Sequence, residues 1–98
     1  MREQSELKYD QGKPRYSLVP PHALEAVAQV LTFGAEKYEA NSWQNIEDQD
    51  RYLDALIRHV EALRKGETHD DESGLQHMAH VAVNAMFLFE FQKIKDES

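Results

Sequence analysis

Two imidazoles and an amide recur three and four residues apart in His77-Met-Ala-His80-Val-Ala-Val-Asn84, within the most apolar stretch of the chain. At about 100° per helical residue, His80 falls at about 300° and Asn84 at about 340° from His77, a sector roughly 60° wide. Ser73, one turn earlier, extends the same stripe. A third histidine, His59, sits among Leu56, Val60 and Leu63 at the spacing of a buried helix face. A polar side chain turned inward without a partner costs about 1–3 kcal/mol, so these groups need something to bind. The partner is a metal, a phosphate or one another.

The chain has no cysteine, so a transition metal here must be held by imidazole and carboxylate. In the metal reading His59, His77 and His80 are ligands, Glu72 or Asp71 completes the shell, and Glu72 and His80 serve as the catalytic groups that activate water. The expected cofactor is a divalent ion: manganese, zinc or magnesium. In the alternative, the histidines form a hydrogen-bonded polar core, with His77 or His80 pairing with Asn84, Ser73 or a backbone carbonyl.

A second constellation is basic. Lys13, Arg15 and Arg58 could clamp a polyphosphate, with Gly12 allowing close approach and the guanidinium groups gripping oxygens in pairs. Asp10-Gln-Gly-Lys13 lacks the spacing and the preceding strand of a P-loop. Tyr38 and Trp43 flank a loop where aromatic faces could stack a purine, although Tyr38 also continues an apolar stripe and Trp43 could staple the loop to the core. Asn84 completes the set of expected substrate contacts. Glu36 and Glu39 read as a solvated helix face.

The elements that must position these groups are helical. Pro20-Pro21 opens a first helix expected over residues 21–38, in which Leu24, Val27, Ala28, Leu31, Ala35 and Tyr38 hold helical spacing. Asp48 or Asp50 can cap a second helix running to about Lys65, which Gly66 terminates. Asp70 or Asp71 can cap a third, expected over residues 72–93. Short connections make the three helices antiparallel neighbours. Residues 1–20 form an ordered arm, and residues 94–98 a tail expected to fray. From Val81 to Phe91 nearly every residue is apolar, so this helix needs cover on more than one side. The fold class is therefore all-α: a compact three-helix domain spanning residues 1–98 that assembles as a homo-oligomer, a dimer or higher.

Composition narrows the function classes. Ninety-eight residues suit one domain with one modest core. Eighteen acidic and eleven basic residues give a formal charge of −7, which opposes binding to duplex nucleic acid. No apolar run reaches the roughly 18 residues of a membrane span, and the N-terminus has no signal-peptide core. A cytoplasmic location is expected, inside an infected host cell if the chain is phage-encoded.

Several separated motifs, in order, carry a resemblance that covers about residues 8–88. They are Lys8-Tyr-Asp10-Gln-Gly12-Lys13-Pro14-Arg15; Thr32-Phe33-Gly34-Ala35-Glu36-Lys37-Tyr38 with Asn41-Ser-Trp43; Arg58-His59; and Asp71-Glu72-Ser73-Gly74 leading into His77, His80 and Asn84. Together they resemble the phage-associated dATP/dGTP diphosphohydrolase N-terminal domain family. That resemblance implies cleavage between the α- and β-phosphates of purine deoxynucleotides, and a distant likeness to the MazG-like all-α pyrophosphohydrolases. Those enzymes hold magnesium with Glu-Glu-x-x-Glu on one helix and Glu-x-x-Asp on a later one. Here Glu36-Lys-Tyr-Glu39 offers part of the first pattern, while His77-Met-Ala-His80 stands in place of the second. Imidazole is a poor ligand for magnesium and a good one for zinc, manganese, iron or nickel.

The expected function is purine nucleotide binding with metal-dependent diphosphohydrolysis of dATP/dGTP-type substrates, Lys13, Arg15 and Arg58 neutralising developing charge. An alternative of a different class is a phage-type sponge that sequesters a nucleotide second messenger and blunts host defence without turnover. A third is an interaction module whose histidines only order its core.

Overall fold

The computed structural model describes residues 11–37 and 49–97. Among them the chain is helical: a 3-10 turn at Tyr16–Leu18, then α1 (Pro21–Lys37), α2 (Asp50–Arg64) and α3 (His77–Glu97), with no strand. The expectations for Tyr38, Trp43, Glu39 and Asp48 fall outside the described residues.

Helix α1 starts at Pro21, where a missing N–H costs nothing, and Leu24 N–H donates to the Pro20 carbonyl. Helix α2 has Gln49 at its N-cap with no side-chain cap, and Asp50 is its first residue instead of the expected cap. There the carboxylate still lies against the positive end of the helix dipole. At the other end Gly66, at φ 91°, adopts the left-handed conformation. Glu67 N–H reaches the Ala62 carbonyl and Gly66 N–H the Leu63 carbonyl, the paired bonds of a Schellman stop.

The third helix begins at His77, five residues later than its expected start at Glu72. Asp70 caps a turn in place of a helix: its carboxylate accepts from Ser73 N–H and its carbonyl from Gly74 N–H, both at 2.8 Å. Gly74, at φ 72°, then reverses the chain, and Asp70 N–H pairs with the Leu75 carbonyl. An isolated antiparallel bridge joins His69 to Gln76, and His77 N–H donates to the Thr68 carbonyl. This knot of backbone bonds takes up the groups that would otherwise start a helix at residue 72. At its far end α3 runs to Glu97, past the end expected at Lys93, and Gln92 bonds Asp96 one turn on at 3.0 Å.

Helix α3 is the central element, packing on α2 and less extensively on α1. Val30 of α1 meets Ala79 and Val83 of α3 in a small core flanked by Ala26, Val27, Leu75 and Phe87. On the α2 side Phe91 is buried, and Tyr52 lies against both Phe87 and Phe91 with ring centroids 5.1 and 5.4 Å apart. The core ends there, leaving Met78, Met86 and Phe89 of α3 and Leu53 and Ile57 of α2 exposed. None of the described helices is long and apolar enough to cross a membrane.

Candidate functional site

Helical periodicity brings His59 of α2 against His77 and His80 of α3. The Nδ1 atoms of His59 and His77 lie 2.8 Å apart, so in the neutral pair one donates and the other accepts. His80 stacks on His59, its ring tilted by only 10° at a centroid distance of 4.5 Å. His77 is buried at 7% exposure, while His59 and His80 are half-buried.

The carboxylate that joins them is Asp70. One ligand atom from each of His59, Asp70 and His77 fits within 4.8 Å of the others, the sole such grouping among the described residues. Asp70 arrives through the 67–76 turn that delays α3, and it also stands 4.0 Å from His80 Nε2. Sequence reading missed it because Asp70 looks like a helix cap. The signal was the Asp70-Asp-Glu-Ser73-Gly74 run, in which a left-handed glycine four residues on favours a turn.

The other expected site residues are dispersed. Glu72 is exposed and forms an ion pair with Lys37 at the end of α1, which draws it away from the histidines. His80 lies beside the three-atom grouping, with its Nε2 2.7 Å from the Ser73 hydroxyl. Asn84 is buried, but its amide donates to the His80 carbonyl one turn back at 2.8 Å and is spent on its own helix. Lys13 and Arg15 lie exposed ahead of α1, and Arg58 lies exposed beside His59. No hydrogen bond or ion pair among the described residues ties any of these three cations to the cluster.

Burial holds the His59 imidazole below its ordinary value, and neighbouring His80 lowers it further. Burial likewise lowers His80, against the opposing pull of Asp70. For Asp70, burial acts to raise the carboxyl, but hydrogen bonds from Ser73 outweigh it and the net shift is downward. At neutral pH these two histidines are thus neutral and Asp70 is ionised. No buried side-chain nitrogen or oxygen among the described residues lacks a partner. The buried groups of the cluster are therefore partnered, and loss of the shared proton would free both Nδ1 lone pairs of His59 and His77. Two imidazoles and one carboxylate fit a zinc-class ion and suit magnesium poorly, because magnesium prefers an all-oxygen shell.

Ser73 faces two ways. Its hydroxyl touches His80, and the residue lines an open cleft of about 380 Å³ along α1 with Glu25, Gln29, Thr32, Phe33 and Glu36. That volume lies within the range of small-molecule sites, roughly 300–1,000 Å³. Glu36 therefore lines a cleft as well as facing solvent.

The chain matches the family described as "dATP/dGTP diphosphohydrolase, N-terminal" over residues 3–98, nearly end to end. It belongs to that family. The dATP/dGTP diphosphohydrolase of Salmonella phage PMBT28 is 48% identical over 83 residues, covering 85% of this chain. The chain spans 28% of that relative's length. No solved structure matches it. In this member of the family, His59 and His77 meet at the joint between α2 and α3.

Proposed function

We propose that this domain binds a purine deoxynucleotide of the dATP/dGTP type and, with a divalent metal, hydrolyses it to the monophosphate. The observation that carries the reading is the convergence of His59, His77 and Asp70 at the α2–α3 joint of a chain that belongs to a diphosphohydrolase family. A divalent ion held there would supply a Lewis acid to the phosphoryl group. His80 and Asp70 would take up or pass on a proton at His80 Nε2, which faces both the Ser73 hydroxyl and the Asp70 carboxylate. Arg58, exposed next to His59, would meet phosphate oxygens, with Lys13 and Arg15 reaching in from the arm. The cleft on α1 offers the base a wall in Phe33 and an amide in Gln29, and Tyr38 and Trp43 are further stacking candidates.

Incubating the protein with dGTP and dATP in the presence of manganese, zinc or magnesium, then separating the products, tests this reading. Appearance of dGMP or dAMP with pyrophosphate supports it. Intact nucleotide with every metal defeats it. Imidazoles standing where the resemblance to MazG-like enzymes implies carboxylates favour a second reading, sequestration of a nucleotide signal without turnover. The same experiment separates the two, since a sponge releases its ligand intact on denaturation.

Self-association belongs to this proposal. Met78, Met86 and Phe89 on α3, with Leu53 and Ile57 on α2, leave apolar side chains in water that a second copy would cover.

A further inference from the structure

We propose that His59, His77 and Asp70 form a transition-metal site of zinc-class selectivity that excludes magnesium, with Glu67 as the outer carboxylate that orients His77. This deepens the metal-assisted reading above by naming the ion class and its ligands.

Three observations carry it. The first is the facing pair of Nδ1 atoms. Two imidazole nitrogens on one tetrahedral zinc, at bond lengths of about 2.0–2.1 Å, stand about 3.3 Å apart. The present separation of 2.8 Å is short of that by about half an ångström, a shift that small side-chain rotations supply. The two nitrogens already face each other, and each belongs to a residue on a helix, the rigid kind of element that holds a ligand in place.

The second observation is the Asp70 carboxylate within 4.8 Å of both. Its Oδ2 accepts from Ser73 N–H at 2.8 Å, which fixes the group in the turn between the two helices. Two nitrogens and one oxygen make a three-ligand set that leaves positions open for a phosphate oxygen or water, as in catalytic rather than structural sites. Magnesium demands a near-octahedral oxygen shell and gains little from imidazole.

The third observation lies on the far side of His77. Its Nε2 stands 4.0 Å from the Glu67 carboxylate, an ion-pair distance longer than a hydrogen bond. Ligating histidines characteristically direct their second nitrogen at a carboxylate, which keeps the proton there and frees the first nitrogen for metal. The contact with His59 engages only Nδ1, so the carboxylate serves the nitrogen on the opposite edge of the His77 ring. His80 acts from outside the ligand set, stacked on His59 and anchored by the Ser73 hydroxyl, and it backs the His59 ring, which stands tilted by 47° to His77.

The test uses zinc alone, without nucleotide, so its failure and failure of the hydrolase reading are distinguishable. Chelator-stripped protein carrying labelled imidazoles is titrated with zinc while its five histidine side chains are followed by nitrogen NMR. The expected result is saturation at one ion per chain, with large shifts at His59 and His77 and none at His22 or His69, which are exposed. Cobalt should give visible absorption bands of a low-symmetry site, and a thousandfold excess of magnesium should not displace either ion. Asp70→Asn should weaken zinc binding tenfold or more, and Glu67→Gln by about 10–100-fold, with helical circular dichroism unchanged. Zinc shifting His22 or His69 in preference, non-saturating uptake, or magnesium competing on equal terms would overturn the proposal. The wild-type titration requires no variant to fold.

Discussion

His59 and His77 meet Nδ1 to Nδ1 at 2.8 Å across the joint between α2 and α3, eighteen residues apart in sequence. One ring must donate and the other accept, so each depends on the other for its partner. His77→Ala should lower stability in urea by about 1–3 kcal/mol, because it strands a half-buried imidazole as well as deleting a ring. The double variant His59→Ala/His77→Ala should cost less than the sum of the singles by about 0.5–3 kcal/mol, the coupling expected of residues in contact. Additive losses would mean that the contact does not stabilise the fold.

Gly74 turns the 67–76 loop at φ 72°, in the left-handed region. Nothing lies within 4 Å of a Cβ added there, so Gly74→Ala acts through backbone strain alone, at about 1–2 kcal/mol. Because this turn delivers Asp70, the variant should also weaken metal uptake. Thermal melts with and without zinc would read both effects, and an unchanged melting temperature would contradict the strained-turn account.

Acid should destabilise the metal-free chain in two steps. His59 and His80 have folded-state values lowered below 6.5, chiefly by burial. Between those values and 6.5 the unfolded chain binds more protons, so stability rises with pH through this window and is lost as pH falls through it. The lowered Asp70 carboxyl adds stability that is present above 3.8 and lost as pH falls through its folded value. Urea midpoints measured from about pH 7.5 down to about pH 3 should fall in both intervals. His80→Gln should shrink the upper step and change the lower one less, since the Ser73 hydrogen bonds do more than His80 to lower Asp70.

Arg58 is exposed and adjacent to His59, and its assigned work is to hold phosphate. Arg58→Gln should leave the unfolding free energy within about 0.5 kcal/mol of the parent. It should weaken nucleotide affinity by about 10–100-fold, the loss of a charge-assisted hydrogen bond. Calorimetry with dGTP, or with a non-hydrolysable analogue, reads this directly. Equal affinities would remove Arg58 from the phosphate clamp.

Phe89 is 64% exposed on α3, in line with Met78 and near Met86. Phe89→Glu should therefore dissociate any assembly of the chain, seen as a lower mass by light scattering, with little change in helical content. A parent protein that is monomeric at high concentration would sink the self-association reading.

The amino-acid sequence by itself determined that the chain is helical and roughly where. Pro21 opens α1, Gly66 stops α2, and the spacing of His59 with Leu56, Val60 and Leu63 turns that histidine toward α3. It also determined that His77 and His80 share a helix face, because a period near 3.6 leaves no other arrangement. These are local properties, dictated by backbone sterics and side-chain spacing. Tertiary structure alone decided which carboxylate meets the imidazoles. Asp70, Asp71 and Glu72 are consecutive and chemically alike. Only the turn bonds of Ser73 and Gly74 swing Asp70 inward, while Lys37, thirty-five residues back, draws Glu72 outward. The side chain of Asn84 was likewise claimed by a carbonyl of its own helix, a contact that a helical projection of residue types does not display. Choosing among neighbouring residues of equal chemistry depends on loop geometry and on partners distant in sequence, and that information exists only once the helices have packed.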